Sequence, residues 1–222
     1  MPAGKVAVYG LIGLVSALFV CGICAAAGFY IDQPLLEKVD AKYGPEARRR
    51  FEAWQQLMAN ATDTEDDLEK LRRANDFFNQ NTEFVDDAIL WRQNDYWAAP
   101  TEFLAKGAGD CEDYSIAKYF TLLAMGLDES KLRITYVKAL ELNQAHMVLT
   151  YFSNPRAVPL VLDNLNPIIK PATQRRDLLP VYSFNGSGLW LAKSKGSGQH
   201  VGGSDRLSLW NDLKQRMLEN PF

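Results

Sequence analysis

Apolar and polar residues follow three different patterns along the chain, and each pattern predicts a different kind of element. Residues 6–30 contain no charged side chain. In most of residues 34–124, apolar residues recur at intervals of three and four, as on one face of an α-helix. Over residues 132–192 they largely alternate with polar residues, as in half-buried β-strands. Helices followed by a meander of antiparallel strands predict an α+β domain.

The first half of the folded part is predicted to be helical. One pattern covers residues 34–61 and is interrupted at Gly44, which precedes a proline. Thr64 is predicted to cap a second helix, with acidic residues in its first turn. Residues 79–109 are rich in aromatic side chains and are predicted to be loop with short helices. Asp110 is predicted to open another long helix.

The second half is predicted to contain five short strands. They cover residues 132–138, 146–152, 158–163, 179–184 and 188–192. Turn residues at Asn154 and at Asn185 separate neighbouring strands. A glycine-rich loop is predicted over residues 196–203, and a C-terminal helix over residues 205–219. The predicted layout places helices on one antiparallel sheet.

The uncharged segment at residues 6–30 is predicted to lie outside this fold. Lys5 precedes it and Asp32 closes it, and small residues occupy positions 25–27. This is the pattern of a secretory signal peptide, although the segment is also long enough to span a bilayer. We therefore expect residues 1–30 to be a signal peptide or an N-terminal membrane anchor. Residues 31–222 are then one domain outside the cytoplasm.

Composition and charge narrow the class of protein. The 222 residues include 24 Lys and Arg against 27 Asp and Glu, a net charge of -3, so no strongly basic surface for nucleic acid is expected. With three cysteines, a disulfide framework is excluded. Cys21 and Cys24 lie within the apolar segment, so Cys111 is the single cysteine of the predicted domain.

Three residues have the types and positions of a thiol-dependent catalytic triad. Cys111 is predicted in the first turn of a helix, where free backbone N–H groups and the helix dipole lower a thiol pKa. His146 begins a predicted strand and Asp163 ends the next one, so antiparallel pairing can bring them side by side. Their types fit a nucleophile, a base and a carboxylate that orients the imidazole.

A structural role for the same residues is the alternative. Cysteine is often buried as a small apolar side chain, and a histidine in a strand is usually a satisfied core or edge residue. His146 favours the catalytic interpretation because its strand is otherwise apolar and its ring needs a polar partner. His200, the other histidine, lies in the predicted glycine-rich loop, which is too flexible to orient a catalytic group.

Acidic residues surround the predicted nucleophile at Asp110, Glu112 and Asp113. Carboxylates are common in the first turn of a helix, where they interact with its dipole. Next to a nucleophilic thiol, however, they should raise its pKa. A bound hard cation would remove that conflict, and Ca²⁺ prefers clustered oxygen ligands, although this motif is not an EF-hand loop.

These residues belong to motifs that resemble a known family. The motifs are Tyr-Trp-Ala-Ala-Pro at 96–100, Gly-Asp-Cys-Glu-Asp-Tyr at 109–114, His-Met-Val-Leu at 146–149 and Leu-Val-Leu-Asp-Asn at 160–164. They resemble the bacterial transglutaminase-like cysteine proteinases of the LapG type, and the resemblance extends over roughly residues 77–191. It implies a papain/transglutaminase-like fold, with the triad on Cys111, His146 and Asp163.

The resemblance also implies a function. It implies a periplasmic, Ca²⁺-dependent endopeptidase that cuts a large cell-surface adhesin near its N-terminus, at a di-alanine site. The expected consequences are release of the adhesin and dispersal of biofilm. The expected regulator is an inner-membrane receptor for cyclic-di-GMP that sequesters the protease. The expected calcium ligands are Asp110, Glu112 and Asp113.

Two other classes of protein remain open at this point. A transglutaminase or amine acyltransferase uses the same three residue types, with an amine in place of water. An exported binding module could carry the residues without catalysis. For hydrolysis, the Cys111 backbone N–H is the expected oxyanion donor. The candidates for a second donor are Gln93, Asn94 and Trp97.

Overall fold

The computed structural model describes residues 31–61, 66–192 and 198–219. Within these ranges the helices are α1 (Gln33–Tyr43), α2 (Pro45–Ala59), α3 (Asp67–Asn81), α4 (Asp87–Leu90), α5 (Pro100–Lys106), α6 (Cys111–Ala124) and α7 (Ser208–Glu219). The strands are β1 (Glu83–Phe84), β2 (Ala108–Gly109), β3 (Leu132–Ala139), β4 (Gln144–Tyr151), β5 (Leu160–Leu162), β6 (Lys170–Pro171), β7 (Leu178–Phe184), β8 (Leu189–Leu191) and β9 (Gln199–Gly202). The predicted α+β class is confirmed.

Seven of the described strands form one antiparallel sheet in the order β6-β5-β4-β3-β7-β8-β9. Strands that are consecutive in sequence pair directly, as short connections favour, in five places: β3 with β4, β4 with β5, β5 with β6, β7 with β8 and β8 with β9. β1 and β2 form a separate parallel pair beside the start of α6. This pair was not predicted, because two-residue strands leave no periodic signal.

Helix α6 lies at the centre of the molecule. One apolar cluster fills the space between α6, α7 and the sheet, and includes Ile116, Leu149 and Trp210. A second cluster joins α6 to α1, α2 and α5, and includes Trp54 and Phe103. Because α6 is buried on both sides, its N-terminus is held rigidly next to β4.

Several element boundaries differ from the prediction. The N-cap of α3 is Asp66, whose side chain accepts the Leu68 N–H; the predicted cap, Thr64, lies outside the described residues. β5 begins at Leu160 rather than at 158, since Pro159 has no N–H for the ladder. The C-terminal helix begins at Ser208, after a 3₁₀ turn.

The prediction of a glycine-rich loop over residues 196–203 is wrong for residues 199–202. Gln199–Gly202 forms β9, which pairs with β8 at the edge of the sheet. His200 is therefore on an exposed edge strand and not in a loop, with its ring 5.4 Å from the ring of Trp190. Glycines hid the strand from a propensity argument, because pairing with a neighbour is decided by tertiary context.

The segment at residues 1–30 lies outside the described residues, and so do Cys21 and Cys24. Within the described ranges, no helix combines the length and hydrophobicity that crossing a bilayer requires.

Candidate active site

Cys111 is the first residue of α6, as the sequence predicts. The turn that leads into it depends on Gly109, because a Cβ at this position would collide with the Asp113 carboxylate. Asp113 is fully buried, and its two oxygens accept the backbone N–H groups of Ala98 at 2.7 Å and of Asp110 at 3.4 Å. This carboxylate therefore ties the start of α6 to the segment that precedes α5.

His146 and Asp163 are brought together by the pairing of β4 and β5. Leu149 pairs with Leu162, so the next residue after β5 lies beside the beginning of β4. His146 Nε2 is 2.8 Å from Asp163 Oδ1, and both side chains are buried. A carboxylate accepts hydrogen bonds, so Nε2 carries the proton and Nδ1 is left as the basic nitrogen of the neutral ring.

Asp163 is held in its charged form by several donors. Its Oδ1 also accepts the Leu165 N–H at 3.0 Å, and its Oδ2 accepts Nη2 of Arg175 at 2.7 Å. Burial alone would raise the pKa of Asp163, but the hydrogen bonds from His146 and Arg175 outweigh it and lower the pKa. A charged, oriented carboxylate is what an imidazolium needs beside it.

The thiol of Cys111 lies against the same end of β4. The backbone N–H of Met147, the residue after His146, is close enough to stabilise the thiolate. The thiol itself donates to Glu112 Oε2 at 3.1 Å. The structure therefore places the predicted nucleophile next to the strand that carries the predicted base.

The sequence predicts that the helix N-terminus lowers the pKa of the Cys111 thiol, but the protein groups around the thiol raise it. Burial raises the pKa of Cys111 well above its ordinary value, and the carboxylates of Glu112 and Asp110 raise it further. Desolvation and like charge both disfavour the thiolate at this position.

An acidic cluster surrounds the start of α6. The cluster contains three sets of side chains, and within each set the candidate ligand atoms lie within 4.8 Å of one another. The sets are Asp110 with Glu112 and the Cys111 sulfur, Asp87 with Asp110 and Asp113, and Asp87 with Asp95 and Glu112. Among the described residues, the buried Oδ1 atoms of Asp87 and of Asp110 have no hydrogen-bond partner. Unpartnered carboxylate oxygens that converge on one region are ligands of the type that Ca²⁺ prefers.

The pKa values of this cluster reflect its crowding. Burial raises the pKa of Asp87 to about 6, and nearby carboxylates such as Asp110 add to the rise. Burial and Glu112 raise the pKa of Asp110 to about 8. The pKa of Glu112 is raised by burial as well. A cation held among these groups would offset the negative charge that crowds them.

Sequence reasoning missed several residues of this region. Asp87 and Asp95 lie in the aromatic-rich stretch that was predicted to be loop with short helices, and their spacing in the sequence does not indicate that they lie near Asp110. Arg175 lies in an irregular segment between β6 and β7, where a basic residue is unremarkable. The pair Asp86-Asp87 at the start of the short helix α4 is the one local feature that could have indicated further acidic ligands.

The three candidates for the second oxyanion donor have different surroundings. Trp97 is buried, its ring stacks on Phe184 and its carbonyl oxygen accepts Arg216. Gln93 and Asn94 are exposed in the turn before Asp95. The backbone N–H of Cys111, in the first turn of α6, has no partner within the helix.

A cysteine at the N-terminus of a buried helix, beside a histidine–aspartate pair that two adjacent antiparallel strands bring together, defines the class of papain/transglutaminase-like cysteine proteinases. The family described as bacterial transglutaminase-like cysteine proteinase (BTLCP) matches residues 42–185. The chain belongs to this family, and it is a cysteine protease.

Solved structures of one relative agree with this assignment. The chain is 43% identical to Legionella pneumophila LapG, and the EGTA-treated form matches with a TM-score of 0.73 over 84% of this chain and 98% of that chain. The calcium-bound form of the same protein matches with a TM-score of 0.71 over 84% and 99%. No curated protein matches the chain.

Proposed function

We propose that this protein is an exported, Ca²⁺-dependent cysteine endopeptidase that cleaves the N-terminal region of a large surface adhesin. The observation that carries the peptidase step is the hydrogen bond between His146 and Asp163 beside the start of α6, where Cys111 lies. The 43% identity to LapG and the motif resemblance support the adhesin, its di-alanine site and biofilm dispersal as the biological setting.

In the proposed mechanism, Nδ1 of His146 takes the proton of the Cys111 thiol, and the thiolate attacks the scissile carbonyl carbon. The tetrahedral oxyanion accepts the backbone N–H of Cys111. His146 then returns the proton to the leaving amine, and a thioester to Cys111 remains. Water, deprotonated by His146, hydrolyses the thioester and restores the thiol. Asp163 stays charged throughout and stabilises the imidazolium.

We also propose that the acidic cluster holds Ca²⁺. Asp87, Asp95, Asp110 and Glu112 supply the oxygens, and two of these are buried with no hydrogen-bond partner in the part of the chain that the structure describes. Asp113 was predicted as a ligand, and it lies in the same cluster, but its oxygens already accept two backbone N–H groups. When bound, the ion supplies positive charge that offsets the carboxylates next to the thiol.

The nucleophile is tested with purified protein and a fragment from the N-terminal region of a candidate adhesin. We expect wild-type protein to cut the fragment in the presence of Ca²⁺, and Cys111→Ala and His146→Ala to lose at least about 10³-fold in rate, as loss of a nucleophile or its base usually costs. Ser187→Ala, an exposed-turn substitution away from the triad, is the control. Cleavage by Cys111→Ala at the wild-type rate would contradict the assignment.

The same reaction separates hydrolysis from acyl transfer. With an added primary amine, a protease yields two fragments whose summed mass exceeds that of the substrate by one water. A transglutaminase or amine acyltransferase instead joins the amine to the acyl group. Mass spectra dominated by the amine adduct would favour the transferase, and an unmodified substrate would favour a binding module.

The export and the regulator are proposed from the sequence pattern of residues 1–30 and from the resemblance. We propose that the domain acts in the periplasm, whether the leader is cleaved or kept as an anchor, and that an inner-membrane cyclic-di-GMP receptor sequesters it. Adding the periplasmic part of such a receptor to the cleavage reaction should slow it. An unchanged rate at saturating receptor would argue against this partner.

A further inference from the structure

A lysine is enclosed in the core two helical turns after the nucleophile. Lys118 is carried by α6 and its side chain is 1% exposed. Lysine is almost never buried to this extent unless its ammonium group is paired. Its Nζ donates to two neutral amides of α3, Asn75 Oδ1 and Asn79 Oδ1, each at 2.9 Å.

Both amides extend the network to the segment that carries the triad aspartate. Asn79 Nδ2 donates to the backbone carbonyl of Asp163 at 2.9 Å, and Asn75 Nδ2 donates to the carbonyl of Pro167 at 2.7 Å. Each amide has one acceptor oxygen and one NH₂ group. Because Lys118 engages both oxygens, both NH₂ groups face the segment 163–167.

These contacts differ from those that orient the carboxylate. Arg175 and the Leu165 N–H engage the side-chain oxygens of Asp163, whereas Asn79 engages its backbone. The nucleophile and the acid lie on elements far apart in sequence, and Lys118 stands on the same helix as Cys111. A continuous hydrogen-bonded path therefore runs from α6 through α3 to Asp163.

We infer that Lys118 is a positioning residue, which through Asn75 and Asn79 locks segment 163–167, and hence Asp163, in register with the helix that carries Cys111. The inference rests on the proposed catalytic roles of Cys111 and Asp163. A lysine amine keeps two N–H donors after it loses a proton. Lys118 can therefore donate to both amides in either protonation state, although burial lowers its pKa to about 7.

The first test replaces the donor and keeps the shape. Lys118→Met removes both hydrogen bonds to α3, and we expect kcat to fall at least about tenfold with KM within about twofold, because small displacements of reacting groups are costly. Thr121→Val is the matched control on the same helix. It removes a buried hydrogen bond of 2.8 Å from Trp54, which does not lead to Asp163. Its kcat should be unchanged.

The second test separates position from stability. Asn79→Asp keeps an oxygen for Lys118 but replaces the NH₂ group that faces the Asp163 carbonyl with an acceptor. We expect a folded protein with kcat reduced at least about tenfold, and a Lys118→Met/Asn79→Asp double variant no slower than the slower single variant, since both changes break one path. Melting temperatures measured in parallel confirm folding.

The outcomes are distinguishable. Absence of cleavage by wild-type protein would refute the proposed substrate rather than the positioning role of Lys118. Wild-type cleavage with an unchanged kcat in folded Lys118→Met would overturn the role of Lys118. If Lys118→Met does not fold, Asn79→Asp decides, and a wild-type kcat in that variant would overturn the inference equally. A kcat loss in Thr121→Val as large as in Lys118→Met would overturn it as well.

Discussion

Arg175 binds two carboxylates, and they differ in exposure. Its Nη2 lies 2.7 Å from Asp163 Oδ2 and 2.7 Å from Asp177 Oδ2, and its Nε lies 3.0 Å from Asp177 Oδ1. Asp163 and Arg175 are buried, whereas the Asp177 side chain is 35% exposed. Removing one partner of a buried ion pair leaves an uncompensated charge, and that costs more than losing a pair at the surface.

Arg175→Met should therefore destabilise the protein by about 3 kcal/mol and lower kcat/KM, because Asp163 loses a donor that keeps it charged. Asp177→Asn is the matched variant, for which we expect a loss of less than about 1 kcal/mol. Urea unfolding and cleavage kinetics measure the two effects. Equal losses in both variants would show that the buried contact has no special weight.

The same substitution predicts a dependence on pH. The pKa of Asp163 is lowered in the folded protein, so its contribution to stability is complete above its unfolded pKa of about 3.9 and is lost as the pH falls through the folded value. The difference in unfolding free energy between wild type and Arg175→Met should be constant from pH 5 to pH 7 and should shrink below about pH 4. Unfolding measured across an acid titration tests this, and a difference that persists below about pH 4 would contradict the assignment.

Helix α3 is joined to the sheet at its first residue. Asp67 Oδ2 accepts Lys131 Nζ at 2.6 Å, and it accepts the hydroxyl of Tyr151, at the end of β4, at 2.7 Å. Eight residues later the helix presents Asn75 to Lys118. The tether at Asp67 therefore sets where α3 places the amides that contact segment 163–167.

Asp67→Asn should lower the free energy of unfolding by about 1 kcal/mol at pH 7, the upper range for a partly exposed pair. Burial raises the pKa of Asp67, but hydrogen bonds from Lys131 and Tyr151 outweigh it, so the pKa is lowered. The difference from wild type should vanish as the pH falls below about 4. Glu69→Gln removes an exposed ion pair with Arg72 in the same turn of α3. It should leave the free energy of unfolding, measured by chemical denaturation, unchanged.

A loss in Glu69→Gln equal to that in Asp67→Asn would show that general surface charge, and not the tether to the sheet, determines the stability of α3.

The two apolar clusters meet along α6, so the N-terminus of this helix is coupled to the stability of the whole domain. The acidic cluster adds repulsion at the same place. A ligand that binds the folded state stabilises it by an amount set by its concentration relative to Kd, about 2.7 kcal/mol at a hundredfold excess.

If the cluster holds Ca²⁺, saturating Ca²⁺ should raise the melting temperature by roughly 5–10 °C for a domain of this size. EGTA should reverse the shift. Asp110→Asn should reduce the shift and weaken calorimetric binding, while Asp212→Asn, an exposed acid on α7, should leave both as in wild type. No shift and no heat of binding in the wild-type protein would remove the calcium proposal independently of activity.

Much of the triad follows from local sequence patterns. A helix that begins at Cys111 is readable from a glycine and an acid followed by apolar residues at intervals of three and four. His146 lies on β4 and Asp163 directly follows β5, and consecutive antiparallel strands usually pair. Short connections and side-chain periodicity act within a few residues, so one sequence suffices to place these elements side by side.

The supporting groups depend on contacts between distant segments. Asn79 and Asp163 are 84 residues apart, and Trp54 meets Thr121 across 67 residues. Asp87, at the start of the short helix α4, and Asp95, in the bend after it, reach the start of α6 only through the tertiary fold. Such contacts leave no periodicity in the chain, since any polar residue in a helix or loop has the same local pattern whether or not a partner arrives.

The amino-acid sequence determined the class of fold, the order of the elements and the residue types of the triad, because hydrophobic periodicity and turn residues act locally. The tertiary structure decided which carboxylates gather at α6, which arginine holds Asp163 and why a lysine is buried behind it. Those properties arise from desolvation and close packing of side chains, which exist only once the helices and the sheet have come together.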